Sequence, residues 1–217
     1  MLKVFINGSS GKVGTSLTRI VNQKNDLYVN TKDISSADVV IDFSHPDSTT
    51  QIIQQCSSNK IPLIIGTTGL KKNILNEIKK ASELIPVVLA SNMSIGINQL
   101  KINLEKYLQS IKSETTCVIE ETHNVKKIDK PSGTAIEINH LIKELDKKNN
   151  ISSIETVSIR KGDIPGIHKI SFQSKENTCV FKHRTLSRDV YANGALHCVE
   201  KISNKSPGLY NFEDVIN

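Results

Sequence analysis

Between Glu121 and Ala135 the chain reads ETHNVKKIDKPSGTA, and three kinds of chemistry fall within that stretch. His123 leaves a strand-like run, and an imidazole that titrates near neutrality suits proton transfer. Lys127 follows four residues later in a polar loop and adds a cation. Pro131-Ser132-Gly133-Thr134 then opens a helix-like segment, offering free N–H groups and two hydroxyls to an anion such as a carboxylate. Each feature alone has an ordinary explanation: loop histidines are usually surface residues, and Ser-Gly-Thr before a helix is usually a cap. Together, an acid–base group, a cation and an anion cradle within a dozen positions point to an anionic small molecule that is protonated.

A second constellation lies near the start. Gly8-Ser9-Ser10-Gly11-Lys12-Val13-Gly14 separates a strand-like Leu2 to Ile6 from a segment with Val13, Leu17, Ile20 and Val21 on one helical face. A pyrophosphate needs close backbone N–H groups and the positive end of a helix dipole, and glycine removes the side chain that would block the approach. Such glycines also serve plain turns, but a strand before and a helix after meet the structural condition for a dinucleotide site. Lys32 and Asp33, beyond the second strand, are the neighbours that would choose between NADH and NADPH, an acid favouring the former and a base the latter.

The elements that must hold these groups follow from periodicity. Strands are expected at Leu27 to Asn30, Ala37 to Phe43, Ile61 to Ile65 and Ile85 to Ala90, alternating with helices within Pro46 to Ser58 and Lys71 to Leu84. That alternation predicts an open, doubly wound parallel sheet with ligands beyond the strands' carboxyl ends. After Ser94 the pattern changes. A helix from Asn98 to Lys112, a strand from Thr116 to Glu121, a loop from His123 to Pro131 and a helix with a stripe of Ile138, Leu141, Ile142 and Leu145 come first. Lys147 to Ser153 reads as a surface loop. Strands near Thr156 to Arg160, Ile167 to Gln173 and Thr178 to His183 have no helix between them, which predicts a mostly antiparallel sheet in a second, α+β domain. Ala192 to Ser203 is a helix returning to the first. The expected domains are 1–94 with about 192–217 for the dinucleotide, and about 95–191 for substrate and assembly.

Bulk properties narrow the class. The 217 residues are 37% hydrophobic and 23% charged, a globular balance. No apolar run is long enough to span a membrane, and MLKVFING enters a strand with no signal-like segment, so a cytoplasmic protein without a membrane partner is expected. Cys56, Cys117, Cys179 and Cys198 are scattered, with no metal-ligand spacing and no disulfide framework, so neither a metal nor a bridge is expected. The net charge of +6 favours anionic ligands, but 4% aromatics and dispersed lysines argue against nucleic acid.

The pattern ExHxxxKxDxPSGTA resembles the signature of the 4-hydroxy-tetrahydrodipicolinate (dihydrodipicolinate) reductase family. GSSGKVG, VVIDFSHP, GTTG, ASNMSIGIN and SRDVYANGA occur in the family's order along the whole chain. The resemblance implies a Rossmann-like cofactor domain, a substrate-binding domain that forms a homotetramer, and hydride transfer from NADH or NADPH to a cyclic unsaturated imine dicarboxylate in the diaminopimelate route to lysine. By position it makes His123 and Lys127 the catalytic pair, with Asn124, Ser132, Gly133 and Thr134 at the substrate. It makes Gly8, Ser9, Ser10, Gly11, Lys12, Val13, Asp33, Gly66, Thr67, Thr68, Ala90, Ser91, Asn92 and Met93 the cofactor contacts. Lys127 beside His123 should hold down the imidazole's pKa. The chain departs from the pattern at Asn124, where the family usually has a second histidine, at Val118, where it usually has Glu, and in the short stretch between Asp33 and Ala37. The competing readings are a homoserine or aspartate-semialdehyde dehydrogenase-like reductase, the latter needing a nucleophilic cysteine, and a non-catalytic nucleotide- or nucleic-acid-binding module.

Overall fold

The structure, a computed structural model, describes residues 1–216, which divide into two compact units. The first comprises Met1–Ser94 and the chain from Arg188 on, the second Ile95–Ser187.

In the first unit, strands β1 (Leu2–Asn7), β2 (Tyr28–Thr31), β3 (Val39–Asp42), β4 (Leu63–Ile65) and β5 (Pro86–Leu89) alternate with helices α1 (Lys12–Gln23), α2 (Pro46–Asn59) and α3 (Lys72–Ser82). All pair in parallel, in the order β5-β4-β3-β1-β2. This is the expected Rossmann-like sheet. Val39 and Ile41 of β3 face a core shared with Leu17, Ile20 and Val21 of α1, whereas Val40 between them faces Ile52, Ile53 and Ile78 of α2 and α3. Burial on both faces explains why these strands read as unbroken apolar runs. The chain order reverses between β1 and β3, the switch point beyond which open α/β sheets bind ligands.

Later in the chain this unit gains the second unit's sequel: a helix at Asp189–Ile202, a sixth strand at Gly208–Tyr210 beside β5, and a short helix at Glu213–Ile216. The sixth strand was not expected from the sequence. Three residues bracketed by polar ones carry no periodicity, and only pairing with β5 makes them a strand.

The second unit runs α4 (Ile95–Ser110), β6 (Thr115–His123), α5 (Gly133–Leu145), β7 (Ile151–Arg160), β8 (Gly166–Gln173) and β9 (Thr178–Thr185). The Asp189–Ile202 helix and the Gly208–Tyr210 strand are α6 and β10, and the last helix is α7. The sheet order is β7-β6-β8-β9, with β6–β7 parallel and the other two pairs antiparallel. The mixed α+β character is as expected, with two corrections in detail. β7 and β8 are not partners but flank β6, so the helixless succession misleads about adjacency. β7 also starts at Ile151 rather than near Thr156, inside the stretch expected to be a loop, because Ile151 already pairs with Thr115. The adjacent, exposed Ser152 and Ser153 hide its start from hydropathy. One face of the sheet packs Ile119, Ile170 and Phe172 against Leu104 of α4 and Ile138 and Ile142 of α5. Tyr107 closes this core, its ring centroid 5.0 Å from Phe172 and 5.3 Å from Phe181.

Helix α6 lies so close to the Met93 backbone that a Cβ on Gly194 would fall 1.7 Å from the Met93 carbonyl oxygen. Alanine would gain about 1 kcal/mol of helix propensity but force backbone to move, an overpacking cost of about 1–3 kcal/mol. Gly194→Ala is therefore expected to lower the thermal midpoint by several degrees; a midpoint equal to or above wild type in a calorimetric scan would contradict this packing.

Candidate active site

Strand β6 builds the site. Alternation places Cys117, Ile119, Glu121 and His123 on one face, and the first two are core residues. Register extends that face sideways. On β7, Ser158 stands beside Glu121 and Arg160 beside His123. On β8, His168 opposes Glu121, and on β9 His183 opposes His168. The row Ser158, Glu121, His168 and His183 is thus the polar continuation of the apolar core, with His123 and Arg160 one step nearer the strand end.

The carboxylate of Glu121 is fully buried, and donors reach both oxygens. Oε1 accepts from Arg160 Nη2 at 2.8 Å and from the Ser132 backbone N–H at 3.3 Å. Oε2 accepts from Arg160 Nη1 at 2.9 Å and makes a short hydrogen bond with Nδ1 of His123. Burial alone would raise the Glu121 pKa, but hydrogen bonds from Arg160, Ser158 and His123 outweigh it and bring the carboxyl down to about 2. It is an anion at any physiological pH. The Ser132 contact also puts that charge at the N-terminus of α5, where the helix dipole favours it.

His123 ends β6 and is nearly buried. Burial is the main cause that lowers its pKa; Glu121 works against it, and the charges of Lys127 and Arg160 add to the lowering. Lys127 therefore acts in the expected direction but is not the leading cause. Its own Nζ lies 2.9 Å from Asp129 Oδ1. Asn124 uses its side-chain carbonyl to accept from the Lys126 N–H at 3.1 Å, so it shapes the start of the loop. Ser132 caps α5, its Oγ accepting from Ala135 N–H at 3.4 Å and lying 3.2 Å from Nε2 of His168. The hydroxyl expected to meet a ligand is thus turned inward, while Gly133 stays half-exposed and Thr134 is buried.

At the switch point of the first unit, Gly8 adopts φ +80°, and a Cβ there would fall 2.3 Å from the Phe43 carbonyl oxygen. A Cβ on Gly14 would fall 2.0 Å from the Gly8 carbonyl oxygen, so α1 starts pressed against the turn. Gly11 caps α1 without a side-chain hydrogen bond. Both features suit an anion held by backbone N–H groups. Beneath them Asp42, fully buried, accepts from Asn7 Nδ2 at 2.8 Å, Ser44 Oγ at 2.5 Å, Thr49 Oγ1 at 2.6 Å and Thr67 Oγ1 at 3.0 Å. Thr67 accordingly spends its hydroxyl on the strand ends, whereas Thr68 is exposed beside it. The side chain of Met93 belongs to the core, Ser91 is exposed, and Ala90 and Asn92 are half-buried. Ser9, Ser10 and Lys12 are exposed and Val13 half-buried. Asp33 is also exposed, and its carboxylate accepts from the Ser35 N–H at 3.0 Å and from its hydroxyl, capping a short turn at Ile34–Ser36.

Four participants escaped the sequence reading. Glu121 opens the signature but was given no role there. Arg160, His168 and Asp42 carry no local signal; only strand register brings the first two to Glu121, and only the strand-end cluster gives Asp42 its partners. Three of the four cysteines are poor nucleophiles: burial pushes the thiols of Cys56, Cys117 and Cys198 up to about 12. The fourth, Cys179, is half-buried within strand β9, away from the β6 site residues Glu121 and His123 in the strand register, which does not favour an aspartate-semialdehyde dehydrogenase-like reading.

His168 carries a measurable consequence. Burial first, then the neighbouring His123, press its pKa down to about 3 from an ordinary 6.5. Between those values the unfolded chain binds a proton that the folded one does not, so this contribution is complete above about pH 6.5 and is lost as pH falls toward 3. Glu121 adds a second loss between about pH 4.5 and 2. His168→Gln is expected to be destabilised at pH 7.5, with a deficit that shrinks by up to roughly 1.4 kcal/mol per unit below pH 6.5. Denaturant titrations of both proteins at pH 7.5, 6 and 5 decide it, and a constant deficit would refute the neutral, buried imidazole.

A family model described as "Dihydrodipicolinate reductase, C-terminus" matches residues 96–216, and "Dihydrodipicolinate reductase, N-terminus" matches residues 28–93. A 4-hydroxy-tetrahydrodipicolinate reductase of Clostridium novyi (strain NT) is 33% identical over all of this chain and 98% of its own. One from Bdellovibrio bacteriovorus is 34% identical over 99% of this chain and 96% of its own. Among solved structures, the dipicolinate-bound dihydrodipicolinate reductase from Paenisporosarcina sp. TG-14 shares the fold, with a TM-score of 0.75 at 19% identity over 97% of both chains. With its first and second units both matched, the chain belongs to the dihydrodipicolinate reductase family.

Proposed function

We propose that this protein reduces the dehydrated form of 4-hydroxy-tetrahydrodipicolinate to tetrahydrodipicolinate in the diaminopimelate route to lysine, a reading supported by relatives named 4-hydroxy-tetrahydrodipicolinate reductase. The observation that carries the reading is the site on β6: an imidazole backed by a buried carboxylate, with a lysine four residues on and a helix N-terminus beyond.

The backbone around Gly8, Gly11 and Gly14 fits a dinucleotide: a Cβ at Gly8 or Gly14 would strike the protein's own backbone, so glycine lets the turn pack tightly against the start of α1, where free N–H groups can meet a phosphate. Ser9, Ser10, Lys12, Val13, Asp33, Thr68 and the strand ends at Gly66 and Ala90 to Asn92 complete that side. Bound there, NADH or NADPH supplies the hydride. The protein's part is the proton: protonated His123 delivers one to the carbon next to the hydride acceptor, and the Lys127 ammonium stabilises the charge that the hydride brings. Gly133, Thr134 and Asn124 hold the substrate's carboxylates, using the α5 N-terminus and the Lys127 charge. The dipicolinate in the Paenisporosarcina structure is a dicarboxylate of the same kind. A homotetramer assembled through the second unit completes the reading, with a mass in light scattering four times the chain's as its test.

Incubation with either nicotinamide cofactor and substrate freshly made by the preceding synthase is expected to consume the cofactor's absorbance. His123→Gln and Lys127→Ala are each expected to lower turnover by about 100-fold or more while cofactor binding survives. Absence of oxidation with both cofactors would end the assignment. Wild-type rates in both variants would end the roles given to the two residues. Michaelis curves for NADH and NADPH, repeated in Lys32→Ala and Asp33→Ala, assign the cofactor preference.

A further inference from the structure

Arg160 uses every hydrogen-bond donor that it has. Its Nε donates to the Lys127 carbonyl at 3.1 Å, and Nη1 donates to Glu121 Oε2 and to the Ile159 carbonyl at 2.8 Å. Nη2 donates to Glu121 Oε1 and makes a short bond to the Asp129 carbonyl. Five N–H groups therefore meet two carboxylate oxygens and three backbone carbonyls, and two of those carbonyls belong to the loop that carries Lys127. The pair is enclosed: the Arg160 side chain is 8% exposed and that of Glu121 0%.

The same carboxylate meets Nδ1 of His123. An ionised carboxylate only accepts, so the Nδ1 atom in that contact must carry a proton. We infer that Glu121 and Arg160 form a buried positioning pair: Glu121 holds His123 with a proton on Nδ1 and Nε2 as the atom that transfers, while Arg160 sets the loop of Lys127. This builds on the proton-delivery role proposed for His123. In the step itself the Nε2–H bond of the imidazolium breaks and a C–H bond forms with the electron pair of the electron-rich carbon left by hydride addition. The ring returns to neutral imidazole with its Nδ1–H still on Glu121. Neither member of the pair gains or loses a proton.

The groups that face His123 are Glu121 on its own strand, Arg160 from β7, His168 from β8 and Lys127 from the loop. Arg160 and Lys127 oppose protonation of the ring, and His168, whose ring centroid lies 5.2 Å away, stays neutral beside it. Glu121 is the one member of this set whose charge favours the imidazolium. In Glu121→Gln the imidazole must lose basicity, so the fall of kcat/KM with rising pH moves to lower pH. Arg160→Lys keeps the charge but offers three donors from one point, which cannot span both oxygens and the loop carbonyls.

The test joins a measurement on the unaltered protein to one on variants. In ¹⁵N-detected imidazole spectra of the full-length protein, with His123→Gln identifying the signal, the neutral ring is expected to show a protonated Nδ1 and a bare Nε2. A ring protonated on Nε2 instead would overturn the inference, and this readout needs no turnover. Glu121→Gln is expected to lower kcat at least tenfold and to shift the basic limb of kcat/KM down by roughly 1 unit or more, with cofactor affinity unchanged. Arg160→Lys is expected to lower kcat while leaving that limb within a few tenths of a unit. An unshifted limb in a folded Glu121→Gln enzyme would refute the pair's role. Should His123→Gln turn over normally, the proton-delivery reading fails, and the tautomer assignment still stands or falls on its spectrum.

Discussion

A buried carboxylate has to find a donor for each of its lone pairs, and in the second unit the answer to that demand is the site itself. Glu121 is satisfied by a guanidinium from β7, an imidazole from its own strand and the first N–H of the α5 cap. Each partner brings a different piece of backbone: the end of β7, the end of β6 and the start of α5. The Lys127 loop follows because the same guanidinium holds its carbonyls. Strand alternation explains why this happens at one end of the sheet. The face that is Cys117 and Ile119 within the core becomes Glu121 and His123 where α5 begins, so polar groups sit where the core opens.

The first unit repeats the device with different chemistry. Asp42 ends β3 as a fully buried carboxylate, but its donors are neutral: an amide from Asn7 and hydroxyls from Ser44, Thr49 and Thr67. Among the described residues no cation is fixed there, and what is gathered is loop backbone at the carboxyl ends of β1, β3 and β4. That suits a cradle that works through N–H groups. In the second unit a cation is fixed, and it balances the anion that orients the imidazole. Two buried acids therefore do two jobs, set by whether their donors carry charge.

Much of this was legible in advance, and what was missed has a common cause. The parallel sheet, the glycine turn and the helices came through because period 2, period 3.6 and turn residues are local signals. His123, Lys127 and the Ser132 to Thr134 segment could be singled out from the sequence because they lie within a dozen residues of one another. Arg160 and His168 lie on other strands, and their relevance depends on register, which no single segment encodes. The first turn of β7 was read as a loop because Ser152 and Ser153 are exposed and break the apolar pattern, although Ile151 pairs with Thr115. Ser132 carries a role that its type and place did not reveal: its hydroxyl accepts from Ala135 N–H and lies against His168 inside the protein.

The two ion pairs at the site differ in a way that bears on how a dicarboxylate could be accommodated. Glu121–Arg160 is buried, and removing one partner from such a pair typically costs about 3–5 kcal/mol, although replacing both by apolar groups is often neutral. Stability alone therefore does not account for a pair placed here, whereas fixed geometry does. Lys127–Asp129 is different: Lys127 is 27% exposed and Asp129 55%, a setting in which a pair is worth about 0–1 kcal/mol. A carboxylate arriving at Lys127 has only that small attraction to displace, while the backbone beneath stays anchored through Arg160. The buried pair lies where the proposed proton transfer needs fixed geometry, and the exposed pair lies where the proposed substrate would bind.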